Sequence, residues 1–443
     1  MSEHLTDAGI SRLTEHLFRH ESGKLVSALT AIFGIRRLQL AEDVVQEAMI
    51  RALQTWPYHG VPENPAAWLM QTAKNRALDL IRREKRFYEK QPEIIASFER
   101  SRSDDPAEVE VRFDNEIGDH RLSLIFACCH PSIPSDAQIA LALKTLCGFS
   151  PKEISRAFLA TEAAVAKRLT RARQKIAEHA IGFEIPSGSM LSVRVDGVLQ
   201  VLYFLFNEGY SASNGESVVK ADLCREAIRL GLLLADHPLV GTPKVHALVS
   251  LMMLNAARLS AREDAGGNIL RLREQDRSKW DIQLIHGGLR YLASSAVGKE
   301  MSEYHLQAGI SACHCVAKDF ESTDWVRILQ HYDRWMELND SPVIALNRTV
   351  AVANLHGPEH GLQALERILK FQSLENYYLY YAVRGDLQEQ LGNDQSAESS
   401  FAKAEELTDV LSEKRFLQQR ILNCRLKSRG IPNEVAGLRD RPM

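Results

Sequence analysis

The chain has 443 residues, a formal net charge of −3, 45% apolar and 25% charged residues, and seven cysteines. That length allows two or three domains, the charge balance excludes a global basic field for nucleic acid, and the ordinary glycine and proline content excludes a largely disordered chain. An odd cysteine count behind the polar start "MSEHLTDAG" points to a reduced, soluble, cytoplasmic protein, and the longest apolar run, Val198 to Phe206, is too short to span a bilayer.

Nearly every periodic segment has a helical spacing, and no period-2 stretch is joined by a hairpin signal. The expected fold class is all-α. In the first block, residues 1–95, "AEDVVQEAMIRALQTW" puts Val44, Val45, Ala48, Met49 and Ala52 on one side of a helix. A proline-punctuated turn, Pro57 to Pro65, follows. The next helix, Ala66 to Arg86, carries an apolar stripe of Trp68, Leu69, Ala73, Ala77, Leu80 and Ile81. Its C-terminal half is basic, with Lys74, Arg76, Arg82, Arg83, Lys85 and Arg86. Trp68 lies on the stripe, which favours a core role over stacking on a base.

Residues 96–116 read as a linker. From Ser101 to Glu116 there are six acids against two arginines, a proline and weak apolar periodicity. The second block, 117–182, ends in "GFSPKEISRAFLATEAAVAKRLTRARQKI". Ser150 and Pro151 suit the start of a short helix, and Thr161 suits the cap of the next. In that second helix Val165, Leu169, Ala172 and Ile176 share a face, while Lys167, Arg168, Arg171 and Lys175 fall on others. Two short helices joined by a tight turn, the second one basic, make a helix-turn-helix.

The third block, 183–443, is slightly acidic, with 29 basic against 33 acidic residues, whereas residues 1–182 hold 25 against 24. Near its end, Tyr381, Gly385, Gly392, Ala397, Phe401 and Ala404 take the spacing of a tetratricopeptide repeat, and Ala364 stands 33 residues before Ala397. A C-terminal helical-repeat domain is therefore expected. Stacked repeats form concave surfaces suited to a protein or peptide partner. Cys313-His314-Cys315 has no second Cys/His pair to complete a zinc site, so neither a metal nor a cofactor is expected. No phosphate-binding loop, zinc-protease motif or nucleophile elbow suggests an enzyme.

The order "EDVVQEAMIRAL", "NPAAWLMQTAKNRALDLIRREKR", acidic linker, "RLTRARQKI" resembles a bacterial sigma factor of the extracytoplasmic-function group over residues from about 10 to 180. The whole chain resembles the subgroup with a long tetratricopeptide-like extension, to which "LYFLFNEGYSAS" after the helix-turn-helix also points. The resemblance implies that Asp43, Gln46 and Glu47 bind the coiled coil of the largest subunit of core RNA polymerase. It implies that Tyr58, His59, Asn64 and Asn75 hold a flipped base of the −10 element, with Lys74, Arg76, Arg82, Arg83 and Arg86 on the single-stranded backbone. It places Ala166, Lys167, Thr170 and Arg171 in the major groove of the −35 element, with Arg168, Arg173 and Lys175 on phosphates. It also implies that the acidic linker threads polymerase channels built for nucleic acid. An ordinary helix-turn-helix regulator with a ligand- or protein-binding helical domain is the alternative, but it needs neither the "DVVQEAM" helix nor the basic "KNRALDLIRREKR" helix.

Overall fold

A computed structural model describes residues 21–89, 119–158, 160–179, 181, 189–211, 220–264, 266, 268–368 and 374–429. Among them every regular element is helical, and the one β contact is an isolated bridge between Glu263 and Ile269. The expected linker 96–116 and residues 182–188 lie outside the described residues. The chain divides into two compact units, residues 1–205 and 206–443.

In the first unit, α1 covers 21–33, a single 3-10 turn Ile35–Arg37 follows, and α2 (Leu38–His59) pairs with α3 (Pro65–Glu89). The apolar side expected for α2 is buried: Val44, Val45 and Ala52 are fully enclosed and Ala48 and Met49 nearly so. Leu69, Ala73 and Ala77 of α3 meet it with no exposed area. Trp68 is half-buried and packs edge-on against the enclosed Trp56, at 5.5 Å between ring centres. The expected turn at Pro57 is corrected. Pro57 lies inside the last turn of α2, which ends only at Gly60 with φ 80°. A proline near a helix end removes one donor without stopping the preceding turns, so Tyr58 and His59 are helical, and only 60–64 form the loop.

The rest of the unit is α4 (His120–Cys128), α5 (Ser135–Cys147), α6 (Pro151–Ala157) and α7 (Glu162–Glu178). Each start has a local cause. The Asp119 side chain accepts from the backbone N–H groups of Arg121 and Leu122. Ser150 and Glu153 form a reciprocal capping box, and Thr161 accepts from the Ala164 N–H. Gly148, in the left-handed region at φ 65°, closes α5. In α7 the expected face is buried, with Val165 and Ala172 fully enclosed and Leu169 and Ile176 nearly so. The helix α8 spans Ser189–Tyr210. Its first part packs inside this unit. Gly197 comes so close that an added Cβ would lie 2.8 Å from Gln138 Oε1 and 3.1 Å from Cys129 Sγ. Arg194, 9% exposed, donates to the Phe126 carbonyl at 3.1 Å, and Phe204 stacks on Phe158 at 5.2 Å. Burial pushes the Cys129 thiol up to about 12. The apolar character of α8 is longer than the run from Val198 to Phe206. By length and composition, Met190–Tyr210 could cross a membrane, and half of that stretch is buried inside the protein.

The second unit is an array of helices: α9 (Ala221–Ala235), α10 (Pro243–Ala256), α11 (Ile282–Ser295), α12 (Glu303–Val316), α13 (Trp325–Leu338), α14 (Pro342–His356), α15 (Pro358–Ile368), α16 (Tyr378–Gln390), α17 (Asp394–Leu407) and α18 (Leu411–Ser428). From α9 on, each helix packs against the next. Gly209 lies inside α8, and its missing side chain lets Cys224 of α9 approach. Between α10 and α11 the chain is pinned by cations on rings, with Arg262 3.6 Å from the Tyr210 ring centre and Arg277 4.6 Å from that of Trp280. Further along, Arg420 of α18, 8% exposed, joins Asp386 and Glu389 of α16, while Arg271 reaches the same Asp386 at 2.8 Å.

The expected repeat spacing corresponds to the α16–α17 hairpin. Ala397 and Ala404 are fully buried, Phe401 is 1% exposed, and Gly392 turns the chain at φ 76°. In the preceding hairpin the close approach is made by Gly361 against Ala353, while Ala364 is only half-buried. The three residues of Cys313-His314-Cys315 diverge around α12. Cys313 packs with Ile328 and Ala351, and Cys315 donates weakly to the Leu254 carbonyl. His314 meets Trp325 edge-on, and burial, with Arg258 and Arg277 nearby, lowers its pKa to about 3, so the ring is neutral.

A Cβ at Gly385 would lie 2.7 Å from the Phe401 ring. Gly385→Ala should therefore destabilise the second unit by roughly 1–3 kcal/mol through overpacking. Thermal unfolding read separately from the two units checks this, and an unchanged second transition would refute the close packing.

Candidate nucleic-acid interface

The burial of Val165, Leu169, Ala172 and Ile176 fixes how α7 is rotated. Ala166, Lys167, Thr170 and Arg171 are consequently exposed together on its outer side. Two small residues and two cations on one solvent-facing strip form a thin, positive helix surface of the kind that enters a major groove. Thr170 bonds its own chain, donating to the Ala166 carbonyl at 3.0 Å. The other cations of α7 are held by carboxylates. Arg168 pairs with Asp136 at 2.8 Å and lies over the Phe158 ring, and Lys175 pairs with Glu178 at 3.0 Å. Arg173 is half-buried and pairs at 2.7 Å with Glu42, which belongs to α2. Of the phosphate-binding cations expected on α7, all three therefore start from an ion pair.

On α2 and α3, Asp43, Gln46 and Glu47 are exposed within little more than one turn. Asp43 accepts from Gln39 at 2.8 Å. Glu47 pairs with Arg76 of α3 at 2.5 Å, and this hydrogen bond holds the Arg76 guanidinium above its usual pKa. A residue expected on polymerase and one expected on DNA thus neutralise each other, in an exposed pair that costs little to separate. Tyr58, 85% exposed, stands at the end of α2, and His59 Nδ1 is bonded back to the Thr55 carbonyl. Asn64 caps α3 by accepting from the Ala67 N–H at 3.0 Å. Asn75 is exposed and accepts from Gln71 at 2.9 Å. Lys74, Arg82 and Arg83 are exposed along the same helix, with Arg82 3.9 Å from Asp79. Arg86 lies on α3, but its side chain is outside the described residues.

These surfaces coincide with the parts of the chain that match known families. Residues 17–87 match "Sigma-70 region 2" and residues 123–176 match "Sigma-70, region 4". A protein of Rhizobium meliloti (strain 1021), itself described as uncharacterized, is 39% identical over 404 residues, covering 90% of this chain and 94% of the relative. The chain belongs to the sigma-70 family. Region 2 followed by region 4 and then a C-terminal extra domain makes it a sigma factor of the extracytoplasmic-function type with an extension. Residues 194–296 of that extension match a family of unknown function, DUF6596. No solved structure matches the chain. Region 2 corresponds to α1–α3, and region 4 runs from within α4 to near the end of α7. A sigma factor binds core RNA polymerase and promoter DNA and recognises promoters; families of this kind are non-enzymatic regulators.

Glu42 stands outside the site residues expected from the sequence. It lies three and seven residues before Val45 and Met49, so helical spacing puts it on the buried stripe. It is 7% exposed. A carboxylate on an apolar stripe needs a partner from elsewhere in the fold, and that signal was available in the sequence.

Lys167→Ala with Arg171→Ala should abolish promoter-specific transcription without unfolding the protein, since both side chains are exposed and each base or phosphate contact is worth roughly 1–3 kcal/mol. Gel-shift affinity beside a circular-dichroism melt checks it. Unchanged promoter affinity would remove α7 from the interface.

Proposed function

We propose that α7 reads the −35 element with Ala166, Lys167, Thr170 and Arg171 in the groove and Arg168, Arg173 and Lys175 on phosphates. In the same reading α3 and the end of α2 melt and hold the −10 element through Tyr58, His59, Asn64, Lys74, Asn75, Arg76, Arg82, Arg83 and Arg86. Asp43, Gln46 and Glu47 grip the polymerase coiled coil. The plan is a region 2 domain at 1–95, an acidic linker at 96–116, a region 4 domain at 117–182 and a repeat-type extension at 183–443, in a cytoplasmic protein. The observation that carries it is the outward strip of α7, which combines small residues and cations above a fully buried face.

The extension is an activating part of the factor and not a detachable inhibitor. What supports this is α8, whose first half packs into the first unit: Gly197 sits against Gln138 and Cys129, and Arg194 holds the Phe126 carbonyl. Those partners belong to α4 and α5 and to the turn after α4, which support the helix-turn-helix. The repeat surface of the second unit is suited to a protein or peptide partner.

Asn75→Ala should leave polymerase binding intact and impair open-complex formation, because a flipped base loses a polar partner. Normal melting, read by permanganate footprinting, would return Asn75 to an ordinary helix surface. Truncation after residue 182 should give a weakly active or inactive factor with lower solubility, because the faces of α4 and α5 that receive α8 are laid bare. Run-off transcription with matched amounts of soluble full-length and truncated protein tests this; a more active truncated form would assign the extension to autoinhibition.

A further inference from the structure

Two 3-10 turns between α10 and α11 bring three arginines together. The first turn, Leu259–Ala261, is flanked by Arg258 and Arg262, and the second, Arg277–Lys279, begins with Arg277. The turns are locked to each other and to the end of α10. Ser260 Oγ donates to the Lys279 carbonyl at 2.6 Å, and the Asp281 N–H donates to the Ala257 carbonyl at 2.8 Å. Arg258 stands in the middle. Its Nη2 donates to the Tyr210 hydroxyl at 2.8 Å and to Asn255 Oδ1 at 2.6 Å, and its Cζ is 5.9 Å from the centres of both the Tyr210 and the Trp280 rings. Arg262 covers the same tyrosine at 3.6 Å, and Arg277 covers the same tryptophan at 4.6 Å. All three arginines are half-buried, so each keeps an edge open to solvent.

Cations gathered in this way repel one another and call for a nearby anion. Among the described residues none of the three forms an ion pair. Several acids close to them in the chain hold other partners: Glu208 pairs with Lys220 at 2.6 Å, Glu274 with Arg271 at 2.7 Å, and Asp276 and Asp281 cap the turns that follow them. Asp319 and Glu321 act on Arg277 only from a longer range. Donors are left over as well. Arg258 Nε, Arg262 Nε, Arg277 Nη2 and Trp280 Nε1 are enclosed with no hydrogen-bond partner, and Trp280 is 7% exposed. The neighbouring ring of His314 registers the same excess: burial, then Arg258 and Arg277, lower its pKa to about 3.

We propose that the second unit binds a dianionic phosphoryl group at Arg258, Arg262 and Arg277. Such a group carries nearly two charges at neutral pH and three strong acceptor oxygens. It therefore suits three guanidiniums in charge and in number of bonds, whereas a carboxylate brings one charge and two oxygens. A guanidinium fork meets phosphate oxygens with parallel N–H donors. The stacked rings and the locked turns hold these forks in place beforehand, so little ordering is lost on binding. All three arginines lie within residues 194–296, the segment that matches a family of unknown function, and the site gives that segment a ligand class. It goes beyond the reading of the promoter surfaces and does not depend on it.

The test titrates the full-length chain calorimetrically with inorganic phosphate, ribose 5-phosphate and AMP, against acetate at matched ionic strength. At least one phosphoryl ligand should bind well above the acetate reference, and the tightest of the three tells whether the free ion or a phosphomonoester fills the site. Arg262→Gln should weaken that binding about tenfold or more, and Arg262→Lys, which keeps the charge but loses the fork, by less. A measurement on the wild-type chain removes any dependence on how the variants fold. Phenylglyoxal modifies open arginines, and peptide mass spectrometry reads each one. Saturating ligand should slow the modification of Arg262 about tenfold and leave Arg225, whose side chain is 71% exposed, unprotected. No binding above acetate, undiminished binding in both Arg262 variants, or equal protection of Arg225 and Arg262 would each overturn the site. So would binding that survives Arg262→Gln and is lost with Lys167→Ala and Arg171→Ala, which would put the anion on α7.

Discussion

Every helix of this chain must bury one stripe of side chains on another helix, because among the described residues no sheet supplies a second kind of surface. That requirement fixes the rotation of each helix, and rotation decides which residues meet solvent. On α7 the enclosed Val165 and Ala172, with Leu169 and Ile176, leave one outward strip. Its cations are presented because the core has used the opposite face. The same rule on α3, where Leu69, Ala73 and Ala77 have no exposed area, turns Lys74 and Asn75 outward. Exposed polar surface and core are two consequences of one helical period.

Helices meet most closely where a side chain is missing. Gly197 against Cys129, Gly209 against Cys224, Gly361 against Ala353 and Gly385 against Phe401 are four such points. At each, the neighbour fills the space of the absent Cβ, so the contact fixes position along the helix as well as distance. Gly23 against the Leu146 carbonyl follows the same principle between region 2 and region 4. Around these points, cations on aromatic rings and the Arg420–Asp386–Arg271 group tie connecting segments to the array.

Charge is used in two ways in the first unit. Exposed pairs such as Arg76–Glu47 and Lys175–Glu178 keep cations oriented and give way readily to a stronger anion. The Glu42–Arg173 pair is different, because Glu42 is enclosed and also accepts from Thr145. A buried carboxylate that loses its partner is costly, so this contact is harder to separate than the exposed pairs.

The sequence by itself determined the all-helical class, the stripes of α2, α3 and α7, the capping residues Ser150 and Thr161, and the exposed strip of α7. All of these follow from local periodicity and short-range hydrogen bonds, which the order of residues contains. It did not determine how far helices run: Pro57 signals a turn yet sits in the final turn of α2, where a proline costs little, and Gly209 serves as a contact point inside α8. Tertiary structure alone decided that Glu47 meets Arg76, that Glu42 meets Thr145 and Arg173, and that α8 completes the support of region 4. Those pairings join residues far apart in the chain, and helical periodicity says which face a residue occupies but not which helix will cover it.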